Sequence, residues 1–101
     1  MTTVHIENRV RDFDVWKANF DKFERFRAEH GVQSYRVSRG VVDADEVVVD
    51  LEFADEGAAR EFLPRLAAIM SSPQAKQQLL THAEPRLYVL VTEHKLAAAA
   101  R

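Results

Sequence analysis

Asn8, Tyr35 and His82 are the side chains of this 101-residue chain best suited to handle a substrate's oxygens and protons. Asn8 shares strand parity with Val4 and Ile6, so its amide is expected to face the interior, where leaving it without partners would cost about 1–3 kcal/mol. It must either bond backbone at the end of its strand or orient a ligand carbonyl or hydroxyl. Tyr35 offers a phenol that ionises only with help. His82, in a loop before the last predicted strand and beside Pro85, is a candidate proton shuttle or else a solvated surface residue. His5 falls on a strand, His30 at a helix C-terminus where the dipole favours it, and His94 at a strand end. None belongs to an HxxxH or His-x-x-Glu pair, so no metal site is predicted. Asp50 and Glu52 stand two apart on one strand face, near enough to perturb one another if buried, or to pair with Arg36, Arg39 or a second copy's His5.

The chemistry that the sequence excludes is as informative. The chain has no cysteine, which removes disulfides, zinc–thiolate sites, iron–sulfur clusters and thiol nucleophiles and suits a reducing cytoplasm. Glycine occurs only at 31, 40 and 57, too sparsely for a phosphate-cradling loop or a dinucleotide fingerprint, and there is no GxSxG elbow. No cofactor is expected. A net charge of −2 argues against nucleic acid or an anionic membrane surface as partner. No apolar run is long enough for a membrane span, and Met1 leads straight into a strand-like segment instead of a secretory signal.

A second constellation is aromatic. Phe13, Trp16, Phe20, Phe23 and Phe26 recur at three- and four-residue steps along a helix capped by Asp12 and stopped by Gly31. Trp16, Phe20 and Phe23, with Phe62, Leu66 and Met70 from a second helix, are either plain core packing or the lining of a pocket for a flat, hydrophobic ligand.

These side chains require a scaffold, and the hydrophobic periods supply one. Residues 3–10 alternate as a strand, and 32–39 and 46–53 read as a hairpin joined through Gly40 and Asp43-Ala44-Asp45. Asp55 opens the second helix, with Ala59, Phe62, Leu63, Leu66, Ile69 and Met70 as its buried stripe and Pro64 expected to bend or split it. Ser72-Pro73 begins a short helix reaching about Leu80, and 86–94 close the chain as a strand with Leu87, Val89 and Val91 on one side. The order β-α-β-β-α-β predicts an α+β, ferredoxin-like single domain over residues 1–94, a four-stranded antiparallel sheet with both helices on one face. Residues 95–101 read as a helical extension or an appended tail. The other face of the sheet would present His5, Glu7, Val48, Asp50, Glu52, Tyr88, Leu90 and Thr92, too apolar a set for solvent. A second copy is the simplest cover, with His5, Val48, Asp50, Glu52, Tyr88 and Leu90 at the contact.

The segments Glu7-Asn8-Arg9-Val10, Asp12-Phe13-Asp14-Val15-Trp16-Lys17 with Phe20-Asp21, the run from Asp45 to Phe53, and Ser72-Pro73 together resemble the dimeric α+β barrel superfamily, especially antibiotic-biosynthesis-monooxygenase-like small proteins. The resemblance implies a cytoplasmic homodimer with a ligand cavity between sheet and helices. It also implies cofactor-independent oxygenation or cyclisation of an aromatic or polyketide-like molecule, with Trp16 and Phe62 stacking on the substrate, Asn8 and Tyr35 bonding its oxygens and His82 shuttling a proton. The alternative is a non-catalytic dimer that binds a small hydrophobic ligand or a partner. Haem chemistry is the lesser reading: the haem-degrading branch uses an Asn, a Trp and a His, and this chain matches the Asn with Asn8 but has Phe62 and Ser72 at the other two places.

Overall fold

The computed structural model describes residues 1–97. In chain order it forms β1 (Thr2–Val10), α1 (Phe13–Asp21), α2 (Glu24–Glu29), β2 (Ser34–Arg39), β3 (Glu46–Phe53), α3 (Glu56–Met70), α4 (Pro73–Gln78), β4 (Leu79–His82) and β5 (Arg86–Val89). The sheet is antiparallel in the order β2-β3-β1-β4, with β5 also paired to β1. This is the predicted ferredoxin-like α+β fold, with five strands in place of four.

Period-two patterning decides what lies under the helices. Val4, Ile6, Asn8 and Val10 of β1 and Val47, Val49, Leu51 and Phe53 of β3 point to one side and are buried there. Phe62, Ala59 and Leu66 of α3 close over them, and Phe62 lies 5.4 Å from Phe53 and 6.2 Å from Phe26 between ring centroids. Asp55 caps α3 by accepting from the Ala58 N–H at 2.8 Å, and Ser72 caps α4 by accepting from Ala75 at 3.2 Å.

Four local expectations need correction. The first helix is two helices, turning at Phe23 (φ −97°, ψ 14°). Three-residue steps drift backward around a helix of 3.6 residues per turn, so five aromatic rings on one straight rod would fan over about 140°. The turn re-aims Phe26 at Phe62. Conversely, α3 runs unbroken through Pro64. Pro64 is exposed, so the hydrogen bond it removes lies where water can reach the freed carbonyl.

At the C-terminal side, α4 stops at Gln78 and the next residues add a short strand, β4, beside the end of β1. The closing strand ends at Val89 instead of residue 94. Its neighbour β1 starts at Thr2, which pairs with Val89, and a last bond from the Leu90 N–H to the Met1 carbonyl (2.9 Å) exhausts the ladder. Leu87 reaches the core, whereas Val89 and Val91 are exposed instead of facing the helices. Lys95, Leu96 and Ala97 have no regular structure, and the remainder of the predicted tail, 98–101, lies outside the described residues.

Gly40 is required by the hairpin connection, since a Cβ there would collide with the Asp43 carbonyl. Gly31, at φ +95°, ends α2 in the left-handed region.

Candidate functional site

Between the inner face of β1 and β3 and the helices lies a cavity of about 200 Å³. Trp16, Phe20, Phe23, Phe62, Leu66 and Met70 all line it. Trp16 and Phe20 stack with centroids 5.1 Å apart and planes at 26°, one helical turn apart on α1. Exposed Lys22, Phe23 and Gln74 among the lining residues mark its mouth.

Asn8 enters from the floor. It is 8% exposed, and its Oδ1 is buried with no hydrogen-bond donor among the described residues. Of the two backbone and ligand alternatives for this oxygen, no backbone partner is present.

Tyr35 and His82 stand apart from the lining. The Tyr35 hydroxyl donates to Glu24 Oε1 at 2.9 Å, and its ring forms a T-shaped pair with Phe20 at 5.4 Å. His82 is directly opposite Asn8 in the β1–β4 ladder but is exposed. The structure thus brings Asn8 together with the aromatic set and leaves the other two proton-handling candidates outside. Among the described residues no group of three His, Asp or Glu converges as a metal-ligand set.

Sequence reasoning missed Arg27. It lines the cavity at 5% exposure, with its Cζ 3.7 Å from the Phe20 ring centroid and 4.8 Å from that of Tyr35. Its Nε and Nη2 meet no acceptor among the described residues. A signal existed: Trp16, Phe20, Phe23 and Arg27 follow 4-3-4 spacing, so the arginine occupies a place in the apolar stripe.

The opposite face of the sheet carries a polar network. His5 lies between two carboxylates, Nδ1 at 2.6 Å from Asp50 Oδ1 and Nε2 at 3.0 Å from Glu7 Oε2, with the Tyr88 ring edge-on at 5.8 Å. Asp50 therefore pairs with its own chain's His5, opposite it in the β1–β3 register, and not with Arg36, which is opposite it in the β2–β3 register, or with Arg39. The Thr3 hydroxyl donates to Glu52 at 2.8 Å.

The hydrogen bond to Asp50 raises the His5 pKa above its ordinary value, against an opposing desolvation, with Glu7 adding to the rise. A raised folded-state pKa contributes stability in full below the unfolded value of about 6.5, lost as pH climbs through the folded one. Thermal unfolding followed by circular dichroism should therefore show the wild-type midpoint falling from pH 6 to pH 8.5 more steeply than that of His5→Gln. Parallel profiles would refute the assignment.

No protein-family model matches the chain, and no curated protein is similar to it in sequence. Its fold is similar to that of several solved ferredoxin-like α+β proteins. SnoaB, a cofactor-independent oxygenase from Streptomyces nogalater, superposes with a TM-score of 0.73 at 16% identity, covering 91% of this chain and 94% of SnoaB. An antibiotic biosynthesis monooxygenase gives 0.56 at 16% identity over 91% and 100% of the two chains. A dimeric ferredoxin-like protein from an uncultured marine organism gives 0.60 at 13% identity over 92% and 96%. At such identities it is the fold that is shared. Among the described residues no helix is long and apolar enough to cross a membrane.

Proposed function

We propose that the protein is a cytoplasmic, homodimeric, cofactor-independent monooxygenase or cyclase acting on a small aromatic or polyketide-like molecule. The observation that carries this reading is the apolar cavity, walled by the Trp16–Phe20 stack and floored by a buried Asn8 whose oxygen has no protein donor. Flat rings would lie against Trp16 and Phe62, and Asn8 would accept from a ring hydroxyl. In an oxygenation without cofactor, the substrate supplies the electrons: a ring methylene and O₂ give a carbonyl and water. The cavity's part is to hold the ring still and keep bulk water away. A solved oxygenase with the same fold adds support by analogy.

A second reading, a non-catalytic binder of a hydrophobic small molecule, is favoured by one observation. None of the described lining residues is His, Tyr, Asp or Glu, so no general base faces the ligand. Of the side-chain types that hold haem iron, the described lining offers Met70 alone.

Oxygen uptake decides between the two. A hydroxylated aromatic that carries a ring methylene and quenches the fluorescence of Trp16, the sole tryptophan, should accelerate oxygen consumption over the protein-free control, with at least a tenfold loss in Asn8→Ala. Quenching without consumption selects the binder.

A further inference from the structure

The guanidinium of Arg27 is the feature that neither core packing nor the oxygenase reading uses. An arginine 5% exposed normally sits against a carboxylate, yet among the described residues this one is in no ion pair. The acidic residue one turn earlier on α2, Glu24, is instead bonded by the Tyr35 hydroxyl. Its contacts with the Phe20 and Tyr35 rings draw on its charge but offer its N–H groups no acceptor. Nε and Nη2, the two nitrogens without partners, form one edge of the guanidinium fork. That edge presents two parallel N–H groups, the arrangement that holds a carboxylate by two bonds at once.

The surroundings point the same way. The chain carries a net charge of −2, yet the described residues lining the cavity include Arg27 and Lys22 and no acid. Near neutral pH the cavity is thus a positive site in a negative protein, and burial amplifies its attraction for an anion. Asn8 Oδ1 asks for the opposite partner, a donor. A volume of about 200 Å³ is smaller than the roughly 300–1,000 Å³ of drug-sized sites, which restricts the occupant to one or two fused rings.

We propose that the ligand of this cavity is a hydroxylated aromatic carboxylate. Its carboxylate docks on the Nε/Nη2 edge of Arg27, its ring lies against Trp16 and Phe20, and its hydroxyl donates to Asn8. The proposal rests on reading the cavity as a small-molecule site and does not require that the molecule be oxidised there.

The test is calorimetric titration of the whole protein at pH 7 with 6-hydroxy-2-naphthoate and with its methyl ester, alike except for the negative charge. The acid should bind roughly tenfold or more tightly than the ester, as expected for a charge-assisted bond pair out of water. Arg27→Gln should bring the acid down to the level of the ester. Arg27→Lys, which keeps the charge but loses the paired edge, should recover part of the preference. Equal affinities in the wild type, binding of neither probe, or an acid preference that survives in Arg27→Gln would overturn the proposal. If Arg27→Gln does not fold by circular dichroism, the wild-type ratio and Arg27→Lys still decide. Acid-selective binding without oxygen uptake sinks the oxygenase reading and upholds the anchor. Oxygen uptake on a neutral aromatic with a ring methylene, without acid preference, does the reverse.

Discussion

Phe53→Ala is expected to lower the thermal midpoint by more than about 10 °C. Phe53 ends β3 with no exposed surface, packs its ring on Phe62, and pairs across the ladder with Thr2, itself buried. Removing a fully buried phenylalanine costs about 3–5 kcal/mol, the transfer of the ring plus the cavity it leaves. A domain of this size holds about 5–15 kcal/mol in all, and each kcal/mol moves its midpoint by about 4–8 °C. The control is Phe23→Ala at the mouth of the ligand cavity, where the side chain is already 36% exposed and much less area is lost from contact. Its shift should be less than a third as large. Unfolding of both variants monitored by far-UV circular dichroism checks the contrast, and equal shifts would mean that the core does not lie between β3 and α3.

Phe53 also illustrates what the sequence makes legible. Its place on the buried face follows from a period of two that runs without interruption through residues 46–53, and the stripe from Ala59 to Met70 says as plainly which side of α3 meets it. Trp16, Phe20, Phe23, Phe62, Leu66 and Met70 could be gathered in one region because an inward helical stripe and an inward strand face bound the same space. Other features depend on facts that no local pattern contains. The alternation through residues 86–94 continues past the point where β1 has any residue left to pair, so the length of β5 is set by its neighbour. Tyr35 has the right parity for the interior, but an acid eleven residues earlier captures its hydroxyl. Arg27 is not legible in the same way, because a charge beside an apolar stripe ordinarily lies on the solvated side of a helix. Its burial becomes visible when Phe20 and Tyr35 are seen to enclose it.

A dimer at micromolar concentration, with a light-scattering mass twice 11.5 kDa, is the second large effect expected, and Val48→Asp should convert it to a monomer. The outer face of the sheet holds half-buried Val48 with exposed Tyr88 and Leu90. Its acids are already served within the chain, Asp50 and Glu7 by His5 and Glu52 by Thr3. Covering this face with a second copy therefore gains apolar burial without leaving those carboxylates unpaired, which is the usual obstacle to burying charge. Beyond Val89 the chain has used up its own partner strand while Leu90, Val91 and Leu96 stay exposed. The radius of gyration is 14.9 Å, above the roughly 13 Å of a folded chain of 100 residues. A strand of a second copy would extend that ladder. Position 48 lies opposite Glu7 in the register, so an introduced aspartate faces an existing carboxylate. Two-fold symmetry places the substitution twice in the contact, and two unpaired polar burials at about 2 kcal/mol each weaken association roughly a thousandfold. The variant should keep its far-UV spectrum while scattering as a single chain; a wild type that is itself monomeric, or a variant that remains dimeric, removes the second copy from this face.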